Sequence, residues 1–108
     1  MARLPFLAVI AFSFSAALAH ADAIDGNWCA GDGRSLTIDG SSIHTPTGAE
    51  LTGEYTRHAF RYIGEIGSAE EAHDVRMQLW ADDELRIDRI VDGAPQPQET
   101  WRRCKPIV

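Results

Sequence analysis

The densest run of recognition chemistry in this chain is Tyr55-Thr56-Arg57-His58-Ala59-Phe60-Arg61-Tyr62. Tyrosine buries a large ring while keeping a hydroxyl to hydrogen-bond, and arginine pairs with carboxylates through two parallel donors, which is why interfaces concentrate both. Tyr55, Arg57, His58, Arg61 and Tyr62 are therefore the expected binding residues, with His58 able to respond to pH. The competing arrangement turns Phe60 and Tyr62 into the core and leaves Arg57 and Arg61 outside. His44, His58 and His73, with Glu70, Glu71 and Asp74, carry metal-donor groups, but no pair stands at zinc-ligand spacing. Ser35, Ser41, Ser42 and Ser68 sit at turns or strand starts with no nucleophile elbow around them. The carboxylate pairs Glu70-Glu71 and Asp82-Asp83 are adjacent, so on a strand they point to opposite faces instead of flanking a substrate. The sequence assigns no catalytic residue, no metal and no cofactor, and a binding or accessory module is expected ahead of an enzyme.

The segments that must position these residues begin with a leader. Arg3 is followed by the uncharged run Leu4 to Leu18 and by the small residues Ala16, Ala17, Ala19 and Ala21, the order of a secretory signal. The apolar run, about fifteen residues, is shorter than the roughly twenty of a spanning helix. Residues 1–21 are expected to be removed before Asp22, with Ala17-Leu18-Ala19 as a second cleavage pattern, leaving residues 22–108 as one periplasmic or secreted domain with no membrane insertion. Cys29 lies too far beyond the small residues to be a lipoprotein cysteine.

Cys29 and Cys104 are the two cysteines, near opposite ends of that domain, and in an exported protein an even pair reads as a disulfide. Neither has the C-x-x-C spacing of a redox pair. Removing the leader takes away Arg3, one of ten Lys and Arg residues set against sixteen Asp and Glu, and makes the formal charge one unit more negative than −6. Such a surface is a poor partner for nucleic acid or anionic lipid and attracts basic proteins.

Turn residues recur every eight to twelve positions, at Gly31-Asp32-Gly33, Asp39-Gly40-Ser41, Pro46-Thr47-Gly48, Gly64 to Gly67, Asp82-Asp83 and Asp92-Gly93. Between them, Trp28-Cys29, Arg34–Ile38, Ser42–Thr45, Leu51–Arg57, Ala59–Ile63, Asp74–Ala81, Leu85–Val91 and Gln98–Cys104 read as about eight strands. Val75, Met77, Leu79 and Ala81 alternate with Arg76 and Gln78, so the first set is expected to face inward. In Leu85–Val91 the alternation slips after Asp88, which predicts a β-bulge there. Ser68–His73 reads as a polar loop. Short connections imply sequential antiparallel pairing, and closing the sheet removes its edges. The expected fold is all-β: a small, monomeric, up-and-down antiparallel barrel of about eight short strands with one disulfide and a filled interior.

Gly26-Asn27-Trp28 at the start and Arg102-Arg103 near the end resemble the glycine-x-tryptophan opening and closing arginine of lipocalin-type barrels, the calycins. The resemblance implies an arginine lying over the indole to seal one barrel end. If Cys29 pairs with Cys104, the first and last strands are neighbours, and Trp28 shares a face with Trp101 and Arg103 as structural residues. In size, compartment and architecture the chain is also similar to small disulfide-stapled periplasmic inhibitors of lysozymes and proteases. The function expected from these readings is an exported, non-enzymatic module that binds, and in the sharper form inhibits, a basic secreted protein. The alternatives are a carrier of a small apolar ligand and an enzyme.

Overall fold

Runs of β-branched and aromatic residues bounded by glycine and aspartate become strands because the branched side chains pack well on a pleated surface and the turn residues break it. In the computed structural model, which describes residues 23–105, these are β1 (Gly26–Cys29), β2 (Ser35–Asp39), β3 (Ser42–His44), β4 (Glu50–Thr52), β5 (Glu54–Thr56), β6 (Ala59–Ile63), β7 (Asp74–Ala81), β8 (Glu84–Val91), β9 (Ala94–Pro95) and β10 (Glu99–Arg103). The expected leader, Arg3 to Ala21, lies outside the described residues.

All pairings are antiparallel, in the order β4-β3-β2-β1-β10-β8-β7-β6-β5, with β9 paired to β8. The two end strands of this path, β4 and β5, are consecutive in sequence, so the sheet curls into a nearly closed barrel. The single strand expected over Leu51–Arg57 is divided at Gly53: its first half pairs with β3 and its second with β6. A Cβ on Gly53 would stand 2.4 Å from the Phe60 ring and 2.5 Å from the Arg61 carbonyl oxygen, so the corner requires a residue with no side chain. Gly53→Ala should cost about 1–3 kcal/mol through overpacking. Thermal unfolding should show this as a melting temperature at least about 4 °C lower, and an unchanged value would mean that the corner yields.

Inside the barrel, Ile24, Trp28, Leu36, Ile38, Ile43, Phe60, Tyr62, Val75, Met77, Leu85, Ile87 and Trp101 form one buried cluster. Successive turns fall at opposite ends, as an up-and-down path requires. One end carries the 40–41, 57–58 and 82–83 turns and is plugged by residues 23–25. There Ile24 is buried, its N–H donating to the Arg57 carbonyl and its own carbonyl accepting from Trp28 Nε1 at 2.9 Å. Arg103 lies over the Trp28 indole at 4.2 Å and donates to the carbonyls of Ala23, Asp25 and Asp82. Asp25 accepts from Gly40 N–H and from the Tyr55 hydroxyl. The Cys29–Cys104 disulfide joins the first and last strands, which pair through Trp28↔Arg103 and Cys29↔Arg102.

Two local expectations are corrected. β8 keeps its alternation through Asp88: Leu85, Ile87 and Arg89 all face inward, and the pairing with β7 is regular from Ile90 to Leu85. The apparent slip arose because Arg89 is a charged residue turned into the core, where Glu70 and Glu99 meet its guanidinium. The bulge lies instead in β7, between Leu79 and Ala81, with Trp80 as the extra residue. Leu79 is consequently only half-buried and Ala81 is exposed.

Candidate functional site

The structure divides the Tyr55–Tyr62 segment instead of presenting it as one surface. β6 alternates strictly, so Phe60 and Tyr62 point into the barrel, and the Tyr62 hydroxyl donates to Glu70 Oε1 at 2.8 Å. Burial first, then the adjoining Glu70 charge, pushes the Tyr62 phenol well above its ordinary range. Tyr62 is therefore a core residue, with its hydroxyl turned to a buried carboxylate. Tyr55 is half-buried against Phe60, and its hydroxyl is committed to Asp25, which raises its pKa. Arg61 faces outward but is held by both oxygens of Asp74, at 2.8 and 3.0 Å, and by Glu54 at 3.1 Å. The two bonds from Arg61, with those from Arg76, hold Asp74 far below the usual carboxylate range. Arg57 and His58 occupy the exposed β5–β6 turn.

β7 carries a different aromatic at the surface beside His58, at its bulge. In a regular strand the side chains of β7 would continue to alternate, with Trp80 in step with Arg76 and Gln78. The extra residue leaves Trp80 on that face and shifts the register of Ala81 after it. Trp80 is 59% exposed, in contrast with the buried Trp28 and Trp101. The Arg86 guanidinium lies over its ring at 4.2 Å and is itself fixed by Glu84 and Gln98. His58, Gln78, Leu79, Trp80, Ala81 and Asp82 line one shallow groove here. The groove combines a wide apolar face, a cation anchored on it, an imidazole and a carboxylate, all in reach of a docked surface.

Of the residues expected from sequence, only His58 lines this groove, with Arg57 next to it in the turn. Trp80 was missed, although a signal existed: the alternation that sends Val75 and Met77 inward puts a tryptophan on the wet face, an uncommon place for so large an apolar ring. A second group overlooked in the sequence is interior. Arg89, 7% exposed, donates from Nη1 to Glu70 Oε2 at 2.6 Å and from Nε to Glu99 Oε2 at 2.9 Å. Glu99 also accepts from Trp101 Nε1 and lies 3.2 Å from Arg34, whose guanidinium stands over the Trp101 ring. The Ser68–His73 loop, expected to be merely polar, is thus the source of a buried carboxylate. A Cβ on Gly64 would collide with the Glu70 backbone, so the glycine lets the loop fold back on the end of β6. Arg89, Glu70 and Tyr62 thus bond to one another in the interior, and through Glu99 the network reaches Arg34 at the surface.

His44 faces outward on β3, and His73 and Asp74 stand where the loop enters β7; no group of three or more His, Cys, Asp or Glu suited to a metal ion occurs among the described residues. Compared with family models, curated proteins and solved structures, the chain matches none.

Proposed function

We propose that this protein is an exported, disulfide-stapled barrel of calycin-like type that works without catalysis, by binding a protein partner through the Trp80–Arg86 groove. The exposed Trp80 on the β7 bulge carries the reading. Tryptophan and arginine are the side chains that most often dominate binding energy, and Arg86 holds the ring in place before any partner arrives, which reduces the ordering cost of association. The disulfide fits an oxidising compartment such as the periplasm or the exterior of the cell, and the excess of Asp and Glu over Lys and Arg favours a basic partner. The Arg57–His58 turn beside the groove retains part of the surface read from the sequence, while Tyr55, Arg61 and Tyr62 are withdrawn from it by their internal bonds.

The test is affinity capture from periplasmic extract with the domain from Asp22 onward, followed by titration of the captured protein. Trp80→Ala should weaken binding by about 30-fold or more, the loss that defines a hot spot, with the melting temperature nearly unchanged because the ring is largely in water. Undiminished binding by a folded Trp80→Ala protein would move the interface elsewhere, and substrate turnover by the wild-type domain would replace the binding reading with an enzymatic one.

A further inference from the structure

The barrel wall has a seam, and its chemistry points to a second kind of contact. β5 and β6 pair from Thr56↔Ala59 up to Glu54↔Arg61, and there the ladder stops. Continued in register, Gly53 would stand opposite Tyr62 and Thr52 opposite Ile63, but beyond Gly53 the chain leaves β6 and follows β3. The two strands diverge from this corner, and between them lies a groove of about 440 Å³ lined by Leu51, Thr52, Gly53, Glu54, Arg61, Tyr62 and Ile63.

Successive backbone groups of a strand point to opposite sides, so the bonds on one side identify those on the other. Gly53 N–H donates to the Ser41 carbonyl and Thr45 N–H to the Ala49 carbonyl, which places the odd-numbered residues of this stretch toward β3. The N–H and C=O of Glu50 and Thr52 therefore face the seam. On β6, Gly64 N–H donates to the His73 carbonyl and the His58 carbonyl accepts from Leu79 N–H, so even-numbered residues face β7. The N–H and C=O of Ile63 face the seam from the other side. Such an edge accepts an added strand through main-chain hydrogen bonds.

The side chains around it limit what that strand can be. Ile63 is 52% exposed and Ile66, in the following loop, 86% exposed, so apolar side chains have somewhere to rest. Glu54 lines the seam, Glu50 lies on β4 beside it, Glu65 follows Ile63 by two residues and Asp74 pairs with Ile63 from β7, whereas the cation in the lining, Arg61, is already held by Asp74 and Glu54. We propose that the seam between β4 and β6 takes up an extended, lysine- or arginine-rich segment of a partner protein, which pairs with Glu50, Thr52 and Ile63 as an added strand. This site is separate from the Trp80 groove and stands whether or not that groove is used.

The probe is a ten-residue peptide of alternating lysine and valine, added at millimolar concentration to the isotopically labelled domain, with amide hydrogen exchange followed by NMR. Protection at Glu50, Thr52 and Ile63 should rise at least tenfold, and a glutamate–valine peptide of the same length should leave it unchanged. Thr52→Pro, which removes an N–H aimed at the seam and none aimed at β3, should abolish the effect; Glu50→Lys with Glu65→Lys, which leaves the backbone free, should weaken binding of the lysine peptide and confer binding of the glutamate peptide. Unchanged protection with the lysine peptide, equal protection by both peptides, or protection confined to other residues overturns the proposal. Protection that grows with protein concentration in the absence of peptide would overturn it too, by showing that a second copy of this chain fills the seam.

Discussion

Replacing Arg89 with alanine should destabilise the barrel by about 3–5 kcal/mol, because it removes the shared cation from two carboxylates that folding has taken out of water. Glu70, only 6% exposed, would lose its 2.6 Å partner, and Glu99 would keep only Arg34 and the Trp101 N–H. Arg89→Lys should fall between, since one ammonium cannot reproduce two guanidinium bonds directed at separate carboxylates. The decisive comparison is Arg89→Met with Glu70→Leu. Replacing both charges by apolar groups of similar size avoids the uncompensated charge, so this double variant should be more stable than Arg89→Ala despite carrying one more substitution. Urea denaturation of the set measures it; equal losses in all variants would show that packing volume, not charge compensation, sets the contribution of this group.

The same network gives the fold an acid limit. Burial by itself would push the Glu99 carboxyl up, but the Trp101 hydrogen bond and the Arg89 and Arg34 charges outweigh it and leave the group below its ordinary 4.5. A carboxyl with a depressed folded-state pKa contributes stability that is fully present above its unfolded value and is lost as pH falls through the folded one. Asp74, lowered by its bonds to Arg61 and Arg76, acts in the same direction. Stability should therefore begin to fall below about pH 4.5, and Arg89→Ala should show less of this dependence than the wild type.

The second large effect belongs to the disulfide. Cys29 and Cys104 are separated by 75 positions, and a cross-link closing a loop of that size stabilises by about 4.5 kcal/mol in the chain-entropy account. Domains of this size are stable by only some 5–15 kcal/mol in total. Cys29→Ser with Cys104→Ser should therefore remove about a third or more of the stability and lower the urea midpoint by at least about 1.5 M, while the remaining β1–β10 pairing and the Arg103 clasp define the same barrel whenever the chain is folded. A loss below about 1 kcal/mol would mean that the unfolded chain already holds these ends together.

The pattern of turn residues and β-branched runs was sufficient to determine an all-β chain, and the two cysteines to determine how its ends are joined. Strand periodicity is local and loop closure depends only on sequence separation, so both are legible without coordinates. β7 kept its expected bounds, and the meander order followed from short connections. The corner at Gly53, by contrast, depends on the nearness of Phe60 and Arg61 on the neighbouring strand β6. The inward course of Arg89 depends on Glu70 arriving from a loop nineteen residues earlier: one-dimensional hydropathy counts an isolated charge as a break in the pattern, whereas in three dimensions a paired charge continues it. For the candidate site the division is the same. Composition singled out the Tyr55–Tyr62 run, but whether a tyrosine faces a partner or a buried glutamate is decided by the strand's phase relative to the barrel. The outward face of Trp80 was legible from the alternation, but the bulge at this point and the Arg86 guanidinium laid over the ring exist only once β7 and β8 are paired.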